Sequence, residues 1–136
     1  MKNWDEYFLE IAKTVSSRSN CIRAQVGAVI VDKNNTIKST GYNGTPSKVL
    51  SCSELGFCYR QANNIPSGTR YETCRSIHAE QNAIISASRK EMIGGPLYLS
   101  LYRTETEEYD QGANSCQMCR KLIINSGIKK VIVRTS

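Results

Sequence analysis

Histidine is almost missing from this chain: His78 is the single one in 136 residues. A multi-histidine metal site is thereby excluded. No apolar run approaches membrane-spanning length, and the opening Met1-Lys2-Asn3-Trp4-Asp5-Glu6 holds no apolar stretch suited to a signal peptide. These absences predict a cytoplasmic chain with no membrane partner. An aromatic-interleaved basic stripe is also lacking. The net charge is +6, yet the basic residues are spread, with adjacent pairs only at Arg89-Lys90, Arg120-Lys121 and Lys129-Lys130. That balance suits a phosphate-bearing small molecule and does not argue for a nucleic-acid binder. No internal repeat or low-complexity segment is visible, and 40% apolar content over this length reads as one domain spanning residues 1–136.

What the chain does have is cysteine, six residues in all. In a cytoplasmic setting these are metal ligands or thiols more often than disulfides. Two of them form Cys116-Gln117-Met118-Cys119, which follows His78-Ala79-Glu80 after 35 intervening residues. One imidazole and two thiolates make three ligands. A structural zinc site fills four positions with protein atoms, whereas a catalytic site leaves one for water. Glu80, two residues from the histidine, is then the carboxylate placed to move that water's proton. The blander readings are a redox C-x-x-C pair or half of a zinc knuckle. The ordered combination H-x-E … C-x-x-C is instead the pattern of zinc nucleobase deaminases.

Periodicity places these residues on a frame. Trp4, Phe8, Ile11, Ala12 and Val15 recur at helical spacing and predict a helix over 4–17. Residues 25–31 and 36–42 read as a strand hairpin around Asp32-Lys33-Asn34-Asn35. Residues 43–75 show no period and read as one long irregular segment. A helix is expected over 77–90, a strand over 97–101, a polar acidic stretch over 102–115, a helix from Cys116 to Ser126 stopped by Gly127, and a last strand over 130–133. Strands joined through helices imply a three-layer α/β/α domain with a mixed central sheet. His78 and Glu80 then fall in the first turn of one helix, and Cys116 and Cys119 in the first turn of another. Both turns carry partial positive charge that favours thiolate.

The segments Cys21-Ile22-Arg23-Ala24-Gln25-Val26-Gly27-Ala28-Val29-Ile30-Val31, Thr40-Gly41-Tyr42-Asn43-Gly44-Thr45-Pro46-Ser47, Pro66-Ser67-Gly68, His78-Ala79-Glu80-Gln81-Asn82-Ala83-Ile84 and Ile123-Ile124-Asn125-Ser126-Gly127-Ile128-Lys129-Lys130-Val131 carry a resemblance across nearly the whole chain. It resembles the deoxycytidylate (dCMP) deaminases of the zinc-dependent cytidine deaminase-like superfamily. The resemblance implies hydrolysis of dCMP to dUMP and ammonia, with Zn2+ on His78, Cys116 and Cys119 and Glu80 as the catalytic proton carrier. It further implies that Asn43 contacts the sugar, the Ala79 N–H the cytosine carbonyl, and the Ser115 carbonyl the exocyclic amine. A homo-oligomer responsive to dCTP and dTTP near Tyr42-Asn43-Gly44 is implied as well.

Three departures from the family pattern stand out. Ser115 replaces the usual proline before the first zinc cysteine. The link from Leu101 to Ser115 carries an insertion of roughly ten residues, including Tyr102, Arg103 and Tyr109; Arg103 reads either as a phosphate grip or as a solvated surface arginine. The fold is expected to be shortened at the C-terminus, without the helix and strand with which relatives continue. Cys21, Cys52, Cys58 and Cys74 remain. They read either as a second, structural zinc site or as unrelated buried thiols. The other functional readings are a deaminase of another nucleotide, a free base or a nucleic-acid base, and a catalytically silent zinc-binding competence or regulatory protein.

Overall fold

The computed structural model describes residues 1–45, 50–65, 77–104, 106–109 and 116–134. Helix α1 (Trp4–Ser16) leads into strands β1 (Ala24–Val31) and β2 (Ile37–Tyr42). Two single-turn helices follow, α2 (Cys52–Leu55) and α3 (Tyr59–Ala62), then α4 (Ala79–Ile85) and α5 (Arg89–Met92). Strand β3 (Pro96–Arg103), strand β4 (Glu108–Tyr109), helix α6 (Gln117–Asn125) and strand β5 (Lys130–Val133) complete the order.

The sheet runs β2-β1-β3-β4, with β5 also on β3. Strand β1 is antiparallel to both β2 and β3, and β4 is antiparallel to β3. Strand β5 is parallel to β3, so the sheet is mixed as the sequence predicts. Alternation along β1 and β3 divides two cores. Val29, Val31 and Tyr98 pack with Phe8 and Ala12 of α1 on one face. Ala28, Ile30, Leu97 and Leu99 pack with Ala79, Ala83 and Ile123 on the other. The result is the three-layer α/β/α fold.

Close backbone approach on both faces is made possible by glycine. A Cβ on Gly27 would stand 2.1 Å from the Ala12 carbonyl oxygen of α1. One on Gly41 would stand 2.4 Å from both the Ala79 carbonyl oxygen and the Ala83 nitrogen of α4. Neither backbone neighbour can yield such a gap.

Four local expectations are corrected. The segment 43–75 is not wholly irregular: it contains α2 and α3. Helix α2 is closed by a Ser51/Glu54 capping box, with the Glu54 N–H donating to Ser51 Oγ and the Ser51 N–H to Glu54 Oε1, each at 3.2 Å. The expected helix over 77–90 is two helices, broken at Ser86 to Ser88. Ser88 caps the second, its Oγ accepting from the Glu91 N–H at 3.3 Å while its own N–H donates to Glu91 Oε1 at 2.9 Å. The inserted stretch after Leu101 begins as structure: β3 continues to Arg103 and turns back into β4. His78 and Cys116 are N-caps and not helical residues. Gly127, with φ of 83°, ends α6 as expected.

Candidate metal centre and active site

Helices α4 and α6 both begin at one end of the sheet. His78 has extended backbone (φ −69°, ψ 151°) and caps α4. Its N–H donates to Gln81 Oε1 at 2.9 Å, which occupies a donor that the helix start leaves without a partner. Cys116 caps α6, its Sγ accepting from the Cys119 N–H at 3.4 Å. Glu80 is thus the second residue of α4 and Cys119 the third of α6. Their side chains turn into the protein: Cys119 is fully buried and Glu80 nearly so.

Helix α4 is tied down from two directions. On β2, the Ser39 hydroxyl donates to the Ala83 carbonyl at 2.7 Å, and the Asn82 side-chain amide donates to the Tyr42 carbonyl at 2.8 Å. Ahead of the helix, Gly44 and Ile77 form an antiparallel bridge, with N–H···O separations of 3.1 and 2.7 Å. That bridge sets His78 beside Asn43. The Asn43 amide is itself buried in hydrogen bonds to β1. Its Oδ1 accepts from the Val26 N–H at 2.9 Å and its Nδ2 donates to the Ala24 carbonyl at 3.0 Å.

The outcome is a compact donor set. His78 Nδ1 lies 3.2 Å from Cys119 Sγ and 3.5 Å from Cys116 Sγ. All three donor atoms lie within 4.8 Å of one another. Residues 2–135 match the family model for the cytidine and deoxycytidylate deaminase zinc-binding region. The chain belongs to the cytidine and deoxycytidylate deaminase family.

Relatives agree with that placement. A deoxycytidylate deaminase of Mycobacterium phage D29 is 36% identical over 96% of this chain and 93% of its own length. A deoxycytidylate deaminase of Schizosaccharomyces pombe is 37% identical over 98% of this chain, which spans only 38% of that longer protein. Among solved structures, the dCMP deaminase of cyanophage S-TIM5 in complex with dCMP and dUMP superposes with a TM-score of 0.67 at 30% identity, covering 99% of this chain and 84% of that one.

The residues of this deaminase-family chain fit a zinc ion. Two ligands on tetrahedral zinc, at Zn–S and Zn–N lengths of about 2.3 and 2.0 Å, stand roughly 3.5 Å apart. The observed nitrogen–sulfur separations are of that size. The charge pattern points the same way. Burial first, and the charge of Arg60 to a lesser degree, hold His78 below its usual range against the opposing pull of Glu80. That direction favours the neutral imidazole, the form a metal needs. Burial, then the adjacent Glu80 carboxylate and Cys116, push the Cys119 thiol well above its usual range. A cation among these donors would offset the burial of Cys119 and Glu80.

The structure brings His78, Ala79, Glu80, Cys116 and Cys119 together, with Asn43 next to them. Ser115 and Cys74 lie outside the described residues. Cys52 opens α2, Cys58 is buried ahead of α3, and Cys21 is half-buried before β1. Among the described residues, His78, Cys116 and Cys119 are the one group able to hold a metal. Sequence reasoning missed Arg60, a buried arginine on α3 whose charge reaches His78. It also missed Gln81, although a glutamine three residues after a cap position is a readable signal.

Proposed function

We propose that this chain is a zinc-dependent hydrolase that converts dCMP and water to dUMP and ammonia. The observation that carries the proposal is the convergence of one imidazole, two thiols and a buried carboxylate in a chain that matches a phage deoxycytidylate deaminase over 93% of its length. His78, Cys116 and Cys119 hold the ion. Lewis acidity that makes water nucleophilic near neutral pH is what a zinc ion held there supplies. Glu80 takes a proton from the attacking water, delivers it to the ring nitrogen, and passes the second proton to the departing amine. Its burial keeps that traffic out of bulk solvent.

The backbone N–H of Ala79, first in α4 and unpaired within the helix, donates to the cytosine carbonyl. Asn43 spends its carbonyl and one N–H on β1, and its second N–H serves the sugar. The Ser115 carbonyl takes the exocyclic amine. One zinc per chain accounts for the described donor set; a second on Cys21, Cys52, Cys58 and Cys74 would double the metal content. A homo-oligomer and a dCTP or dTTP response follow from the family resemblance, and the exposed Ile85 and Ile124 on α4 and α6 support association between copies.

The test is turnover of dCMP beside CMP, cytidine, guanine and single-stranded oligonucleotides, with zinc measured in the same preparation. Glu80→Gln is expected to lower kcat by about 100- to 10,000-fold at unchanged zinc content. Product formed only from an oligonucleotide overturns the dCMP assignment. Undiminished turnover in the Glu80→Gln protein overturns the mechanism.

A further inference from the structure

We propose that Asn82 is a positioning residue that ties the sugar-binding Asn43 to the metal-bearing end of α4, and so sets how strongly the enzyme reads the 3′-hydroxyl of its nucleotide. The inference rests on the dCMP reading above and deepens it.

The two halves of the site come from different elements. His78 and Glu80 belong to the start of α4, whereas Asn43 follows the end of β2. A substrate that touches both needs a fixed distance between them. Asn82 is bonded to each half. Its backbone N–H donates to the His78 carbonyl at 3.0 Å, and its side-chain amide donates to the Tyr42 carbonyl at 2.8 Å. One residue thus connects His78 to the peptide unit that leads into Asn43.

That peptide unit is held at both ends. It is trans, so its N–H and its C=O point in opposite directions. The Asn43 N–H donates inward to the Val26 carbonyl of β1 at 3.2 Å. The Tyr42 carbonyl therefore points outward, along the open edge of the sheet, since β2 is a terminal strand in the order β2-β1-β3-β4. An outward carbonyl on an edge strand has no ladder partner, and the Asn82 amide takes that place. With both ends bonded the plane resists tilting, and the residue that follows keeps its direction.

The surrounding contacts show what this bond adds. Hydrogen bonds to Val26 and Ala24 fix the Asn43 side chain within the sheet. They do not fix the sheet edge to the helix. The Gly44–Ile77 bridge makes that tie on the far side of Asn43, and Asn82 makes it on the near side. Helix and strand are already close there: a Cβ on Gly41, next to Tyr42, would stand 3.0 Å from the Asn82 carbonyl carbon. The short asparagine side chain spans the remaining gap.

The 3′-hydroxyl is the one free hydroxyl on the deoxyribose of dCMP, so dCMP and 2′,3′-dideoxycytidine 5′-monophosphate isolate its recognition. The experiment measures kcat/KM on both for wild type, Asn82→Ala and Asn82→Asp, with zinc content and melting temperature for each. Wild type should favour dCMP by roughly tenfold, the size of one well-made hydrogen bond. Either variant should reduce that ratio to about threefold or less, chiefly through KM, with zinc retained. Asn82→Asp keeps the shape, sets a carboxylate against the Tyr42 carbonyl, and leaves a negative charge near the helix start, where it is favourable. A lower ratio in a protein that melts no lower separates positioning from folding. An unchanged ratio, or a parallel fall on both substrates, overturns the Asn82 assignment alone. A wild-type ratio near one overturns the sugar contact on which it depends, and absence of wild-type turnover on dCMP overturns the dCMP reading as well.

Discussion

The two faces of the sheet solve the same packing problem with different materials. On the α1 face the contact is aromatic: Trp4 stacks on Phe8 at 5.6 Å between centroids, and Phe8 meets the buried Tyr98 ring at 5.1 Å. Large rings fill that volume and bury much apolar area. On the α4 face Ile30, Leu97 and Leu99 supply the apolar core, but α4 itself meets β2 through Gly41, Ser39, Ala79 and Ala83, where backbone almost touches backbone. The small residues at that helix–strand contact leave no room for adjustment. The first face holds the domain together, whereas the second sets where His78 and Glu80 stand. Stability and positional accuracy are thus assigned to opposite sides of β1.

The glycines give the sharpest way to break this division. Gly27→Ala and Gly41→Ala place the same methyl group against helix backbone on opposite faces, at 2.1 and 2.4 Å from the nearest atom. Both should destabilise the protein by about 3 kcal/mol or more, because neither contact can relax by a side-chain rotation. Only Gly41→Ala displaces α4, and with it the histidine and the carboxylate. A shift of about 1 Å there should cost roughly 100-fold in kcat/KM, whereas folded Gly27→Ala should keep its specific activity. Denaturant melts with assays on the folded fraction measure both. Equal catalytic losses in the two variants would remove the distinction between the faces.

The same contrast explains what could be read in advance. The metal site was legible because its chemistry needs rare residue types: one histidine, a C-x-x-C pair and a glutamate in fixed order leave few alternatives. The major strands were legible because apolar runs such as Val26 to Val31 are bounded by turn chemistry. Helix α4 was overextended because Ala87 continues the apolar period past the break; the Ser88-x-x-Glu91 capping box marks the restart but carries no hydrophobic signal. Helices α2 and α3 are single turns with too few residues to show any period, although Ser51-x-x-Glu54 was there to be seen. The β3–β4 hairpin was hidden by composition. Thr104 reads as part of a polar loop, and its hydrogen bonds to Ile22 and Arg23, some eighty residues away, fasten it to the start of β1.

A gentler test removes one polar contact on the α4 face. The Ser39 hydroxyl serves the Ala83 carbonyl, one of the last four carbonyls of α4 that the helix itself leaves short of donors. Ser39→Ala leaves that oxygen buried and unpaired, at a cost of about 1–2 kcal/mol. Its effect should extend to catalysis, since Ser39 and Gly41 anchor the same helix, and a several-fold fall in kcat is expected. A loss of stability with kcat untouched would show that Gly41 alone sets the helix position.

The smallest expected effect is at the equivalent contact on the α1 face. The Tyr98 hydroxyl donates to Asp5 Oδ1 at 2.7 Å. Tyr98→Phe frees a carboxylate that is exposed and regains water, so the cost at neutral pH should be about 1 kcal/mol, with kcat/KM unchanged. Its pH dependence is more telling. Burial, and then the hydrogen bond to Asp5, raise the Tyr98 hydroxyl well above its ordinary range. The unfolded chain releases that proton near pH 10 while the folded chain keeps it, so the wild-type protein should lose stability as pH rises past about 10. Phenylalanine has no proton to lose. The variant's melting temperature should therefore fall less steeply than wild type between pH 9 and 11 (about one unit either side of the tyrosine value), and the gap between the two should narrow. A gap that stays constant over that interval would mean that Tyr98 supports α1 through its ring alone.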